Sequence, residues 1–97
     1  MNKWVYKTTD RWQISFHKTD DGEFMFHIDV YIWNKSVYKE MLEEWADIED
    51  MLEFFDVEIV YGLLPIENEQ FAAMFGWTLT SVVWHKTHRL VFKLIGE

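Results

Sequence analysis

PIENEQFAAMFGW, residues 65–77, is the stretch on which the fold turns. Proline tolerates the first turn of a helix, where its missing N–H leaves nothing unsatisfied. The short run that follows has helical spacing, and Gly76 is a natural C-terminal cap because glycine accepts the left-handed turn. The spacing therefore predicts a short helix that stops on Gly76-Trp77. On its N-terminal side DVEIVYGLL, residues 56–64, reads as a buried strand, and on its C-terminal side WTLTSVVW and RLVFKLI read as a hairpin turning near His85 to His88.

Working outward, residues 37–55 change period. Val37, Met41, Trp45, Ile48, Leu52 and Phe55 form one stripe of an amphipathic helix, widened by Tyr38, Leu42, Met51 and Phe54, with Ser36 or Asn34 as N-cap. The first 33 residues alternate with period two. RWQISFHK puts Trp12, Ile14, Phe16 and Lys18 on one face, and FMFHIDVYIW does the same for Phe24, Phe26, Ile28, Val30 and Ile32. A three-residue loop Asp20-Asp21-Gly22, with Gly22 left-handed, sets Lys18 opposite Phe24, Phe16 opposite Phe26, Ile14 opposite Ile28 and Trp12 opposite Val30. An earlier strand near Trp4 to Lys7 pairs back across Thr8-Thr9-Asp10. The expected fold is α+β: one domain over residues 1–97, with a mixed, largely antiparallel sheet and one long and one short helix in the order β-β-β-α-β-α-β-β.

Composition bounds the chemistry. There is no cysteine, so thiolate chemistry and disulfides are excluded. The start MNKWVYKTTD has no apolar run like that of a signal peptide, and no stretch approaches the ~20 apolar residues of a membrane span. The expectation is a cytoplasmic protein without membrane contact. Its 17 carboxylates against 9 Lys and Arg disfavour direct nucleic-acid binding, since phosphates would be repelled. Six Trp, four Tyr and eight Phe exceed what a small core needs, which places some of them at the surface as interface residues, Tyr31 and Trp33 first.

The acid is concentrated. From Glu40 to Glu58 there are nine carboxylates and no Lys or Arg, which leaves the rest of the chain near +1. Like charges at i,i+4, such as Glu40–Glu44, Glu43–Asp47 and Glu49–Glu53, weaken a helix. The simple reading is a solvated helix face. The functional reading is a docking surface for a protein with a basic surface, made by Glu40, Glu43, Glu44, Asp47, Glu49, Asp50 and Glu53 together with Tyr31 and Trp33. Self-association is compatible with the same aromatic surplus.

Other chemistry is weakly signalled. His17 and His27 share a sheet face with Gln13, Ser15 and Asp29, a geometry open to two imidazoles and a carboxylate around a metal, but no ligand spacing is diagnostic and the reading is a polar face with no metal. His85 and His88 read as turn residues. Ser15, Ser36 and Ser81 lie in no glycine-flanked elbow, so no nucleophile is indicated.

EIVYGLLPIENEQFAAMFGWTLTSV, residues 58–82, resembles the C-terminal part of the GCN5-related N-acetyltransferase superfamily, in which a strand leads to a short helix that closes on Gly-Phe before the last hairpin; Gly76-Trp77 stands there in this chain. By element order the resemblance spans roughly residues 24–95, and by motif residues 57–77. It implies an acetyl-CoA site where the third strand splays from EIVYG, and, because such small chains are common in tailed phages, a phage-type protein acting in a host cytoplasm. The sequence departs from the family at the sites of chemistry. The glycine-rich pyrophosphate loop is replaced by WNKSVYKEM, residues 33–41, with no glycine. The tyrosine general acid falls on Ala72, and the asparagine at the helix start falls on Pro65, with Asn68 three residues on. The two helices that shape the acceptor site are replaced by Thr8-Thr9-Asp10. The expected function is thus a non-enzymatic interaction protein with no cofactor, a phage-type inhibitor or regulator of a host factor. The alternatives are an acetyl-CoA-dependent N-acetyltransferase with a divergent loop and a structural virion or assembly component. The enzyme reading fails if Tyr61 and Trp33 fill the splay.

Overall fold

The computed structural model describes residues 2–96. Six strands, β1 (Asn2–Thr8), β2 (Trp12–Lys18), β3 (Phe24–Val30), β4 (Ile59–Pro65), β5 (Thr78–Trp84) and β6 (His88–Leu94), form one sheet in the order β1-β2-β3-β4-β6-β5. Two helices, α1 (Lys35–Phe54) and α2 (Glu69–Met74), complete the α+β fold. Only β3 and β4 are parallel, joined through α1. None of the helices is long and apolar enough to cross a membrane.

The β2–β3 hairpin has the register that its two apolar faces dictate: Lys18 opposite Phe24, Phe16 opposite Phe26, Ile14 opposite Ile28 and Trp12 opposite Val30. Gly22 sits at φ +88°, as the three-residue loop requires. The face carrying Trp12, Ile14 and Phe16 packs with Val60 and Ile95 against Val37, Met41, Ile48 and Leu52 of α1. Trp12, Phe16 and Ile48 are fully buried there. Asn34, rather than Ser36, caps α1: its side-chain oxygen accepts from the Val37 N–H at 2.9 Å. The stripe ends one turn short of expectation, because Phe54 and Phe55 are exposed at 82% and 66%.

Pro65 is the last residue of β4 rather than a helical one. A single 3-10 turn, Ile66–Asn68, intervenes before α2. The C-terminus of α2 is a Schellman motif. The Trp77 N–H reaches the Ala72 carbonyl at 3.1 Å and the Gly76 N–H the Ala73 carbonyl at 3.0 Å, with Gly76 at φ +80°. That cap turns Trp77 inward, where it packs against Phe26 and Trp45 at ring-centroid distances of 5.5 Å each.

Candidate functional site

Helix α1 divides its carboxylates into two groups. Glu43, Asp47, Asp50 and Glu53 are exposed, and none has a Lys or Arg within ion-pair distance among the described residues. Glu40, Glu44 and Glu49 are half-buried along the edges of the apolar stripe. Of the seven acids expected to project largely to solvent, four do so and these three instead find donors from other elements. The Glu40 Oε1 accepts from Arg11 Nη2 at 2.7 Å, Arg11 Nε at 3.1 Å and Trp12 Nε1 at 2.6 Å. Hydrogen bonds from Arg11 and then Trp12 hold its carboxyl below the ordinary value. Glu44 meets Lys7 Nζ at 3.1 Å, and burial together with that carboxylate pushes the Tyr6 hydroxyl up to about 12. Glu49 accepts from Trp45 Nε1 at 2.8 Å and lies 4.0 Å from Lys93 Nζ. The cations come from β1, the β1–β2 loop and β6, so intrahelical spacing alone gave no sign of them.

The second feature is a cleft. β3 and β4 pair only at Phe24–Phe26 with Val60–Gly62 and then diverge. The gap is an open cavity of about 880 Å³, lined on the helix side by Met41, Trp45, Phe71 and Ala72. Backbone pairing alternates along an antiparallel strand, and the Tyr31 N–H donates to the Arg11 carbonyl at 2.8 Å. Odd residues of β3 therefore turn their amides to β2, and Ile28 and Val30 aim theirs into the gap. The polar side chains of its lining include Lys3, His27, Asp29, Asn68 and the buried Ser15.

At the N-terminal end of α1 the cleft is walled by Trp33, Phe71 and Phe75, with Tyr38 packed against Trp33 and Phe75. Trp33 stands 5.3 Å from Phe71 and 5.9 Å from Tyr38; Tyr38 stands 5.2 Å from Phe75, and Phe75 lies 5.1 Å from Phe71. The Tyr38 hydroxyl also donates to the Met74 carbonyl at 3.4 Å. Trp33 and Tyr31 remain 46% and 59% exposed. Tyr61 does not line the cavity, so the cleft is not filled by Tyr61 and Trp33 together. Sequence reasoning missed the parts of Tyr38, Phe71 and Phe75. Their spacing marks them as helical apolar residues, but only the tertiary fold brings α2 beside the first turn of α1.

On the sheet face away from α1, the His17 Nδ1 and His27 Nε2 lie 2.6 Å apart with the rings stacked at 4.7 Å. Burial, then the neighbouring His17 and Lys3, lowers the pKa of His27. Among the described residues no group of three or more His, Asp or Glu converges as a metal site would. Set against known proteins, the chain matches no family model, no curated protein and no solved structure.

Proposed function

We propose that this chain is a non-enzymatic interaction protein on a frame resembling a trimmed GCN5-related N-acetyltransferase domain, and that it binds a partner of basic surface through the exposed strip Glu43, Asp47, Asp50 and Glu53 of α1, together with the exposed aromatics Tyr31 and Trp33. The observation that carries this is the division of the helix. Lys7, Arg11 and Lys93 are engaged by the inner carboxylates, and the outer four are left as unrelieved charge on a rigid, well-packed element. Complementary charge on a partner speeds encounter and fixes orientation more than it adds affinity. The role that fits the resemblance is a phage-type inhibitor or regulator of a host protein, or a virion assembly component that docks by the same strip.

The experiment is capture by immobilised chain from host lysate, comparing wild type with Glu43→Lys, Asp47→Lys and Asp50→Lys combined. The proposal expects a basic protein that wild type retains, that salt releases, and that the folded triple variant loses. Retention of the same proteins by both chains counts against it.

A second reading has its own observation. The splay of β3 from β4 is where the resemblance puts acetyl-CoA, and the cavity there is open. Against catalysis stand the glycine-free entry to α1, whose Val37 N–H is already taken by Asn34, and the buried Ala72 where the general acid would be.

A further inference from the structure

Both strands that border the cleft turn backbone groups toward it. Strand β3 bonds to β2 through its odd residues, so the N–H and C=O groups of Ile28 and Val30 face the gap, beyond the Phe26–Gly62 pair where the ladder to β4 ends. Strand β4 bonds to β6 through its even residues: the Ile95 N–H reaches the Glu58 carbonyl at 2.9 Å, and the Ile66 N–H the Thr87 carbonyl at 3.0 Å. Its odd residues therefore face β3. The last of them is Pro65, which has no N–H to give, so a regular ladder to β3 cannot run the length of β4. The two strand edges stay apart around the cavity of about 880 Å³. A row of free backbone donors and acceptors is a template for one kind of ligand, another extended backbone.

We propose that the cleft takes an extended segment of a partner protein as an added strand on the Ile28–Val30 edge of β3, and that the segment reads apolar–Lys/Arg–apolar. Pairing fixes the sides. Residues directly opposite one another share a face of the sheet. The segment's residues opposite Ile28 and Val30 thus point to the helix side, where Met41, Trp45, Phe71 and Ala72 line the cavity. The residue between them lies opposite Asp29 on the other face. Asp29 is exposed and has no Lys or Arg within ion-pair distance among the described residues. An opposite charge across a strand pair is favourable, and this selects Lys or Arg at the middle position. Lys3 is on the same face, but on β1, two strands from the edge. Acetyl-CoA also carries amides, yet its pyrophosphate finds the first turn of α1 already capped, the Val37 N–H being taken by Asn34. Docking through the acids of α1 leaves the cleft unused, so this inference does not rest on it.

Hydrogen exchange read by NMR tests the edge before any ligand is added. In the free chain the Ile28 and Val30 amides should exchange at least about tenfold faster than those of His27 and Asp29, which bond to β2. A displayed library of random peptides, first depleted on Val30→Pro and then selected on wild type, should enrich apolar–Lys/Arg–apolar. That proline removes one donor into the cleft and no bond to β2. A selected peptide should slow the Ile28 and Val30 amides, and Asp29→Lys should shift the preference at its middle position from Lys toward Glu by about threefold to tenfold. The inference is overturned by Ile28 and Val30 amides already slow in the free chain, by no enrichment, or by selected peptides that lack the motif or leave those amides fast. Slowing by acetyl-CoA and by no peptide overturns it as well and gives the cleft to the cofactor. Where Val30→Pro does not fold, the library is depleted on Asp29→Lys and the exchange of the two amides decides.

Discussion

Glu40 gathers three donors on one carboxylate oxygen: the Arg11 Nε and Nη2 and the indole N–H of Trp12. Trp12 is completely buried, so without Glu40 its indole N–H depends on water reaching the protein edge. Glu40→Ala should therefore lower the denaturation midpoint, and Glu40→Gln, which keeps an acceptor, should lower it less; equal losses in chemical denaturation would show that the indole bond contributes nothing. Because its folded pKa is depressed below 4.5, the Glu40 contribution is present above that value and is lost as pH falls through the folded pKa. His27 acts in a higher window. Its pKa is lowered from 6.5 by burial and then by His17 and Lys3, with Asp29 opposing. Its contribution is whole above 6.5 and is lost as pH falls through the lower, folded value. As pH falls below about 6.5, the melting temperature of wild type should drop more steeply than that of His27→Gln. Parallel curves for the two chains would contradict this assignment.

At the scale of elements, the helix could be read from the sequence further than charge counting took it. With about 100° per residue, Glu40, Glu44 and Glu49 fall roughly 60–100° from the centre of the Val37–Leu52 stripe, and Glu43, Asp47, Asp50 and Glu53 roughly 120–180° away. The division between inner and outer acids was thus legible. Their partners were not, because Lys7, Arg11 and Lys93 reach α1 only through sheet order. The β2–β3 register was legible because one face must be buried, so a slip by one residue would invert every side chain. The cleft was not, because strand divergence leaves no periodic trace. Two substitutions test the elements. Leu52, 1% exposed, should cost about 2–5 kcal/mol when cut to Ala, measured by urea denaturation. Gly76→Ala should cost about 1–2 kcal/mol, because φ is +80° and the added Cβ would lie 2.8 Å from Lys93 Nζ. The combined reversal of Glu43, Asp47 and Asp50 to Lys should leave the fold intact or slightly firmer, since it turns the i,i+3 repulsions Glu40–Glu43, Glu44–Asp47 and Asp50–Glu53 into attractions of about 0.2–0.5 kcal/mol each, against the loss of one i,i+4 attraction, Lys39–Glu43. Loss of helical circular dichroism in that variant would mean that the outer acids hold structure after all.

Over the whole molecule, α1 presents its unrelieved acids on one side of the sheet, and the cleft passes between β3 and β4. The competing accounts of the molecule separate at that cleft. Docking through α1 needs it only as a consequence of strand splay. An acetyltransferase needs it to hold a cofactor whose pyrophosphate must find donors at the start of α1, where Trp33, Phe71 and Phe75 form a wall instead. Titration calorimetry of the chain with acetyl-CoA and with CoA tests this most directly. The account predicts no saturable heat with either ligand at concentrations well above a micromolar Kd; saturable binding of acetyl-CoA in the micromolar range would contradict it and make the cleft the functional site.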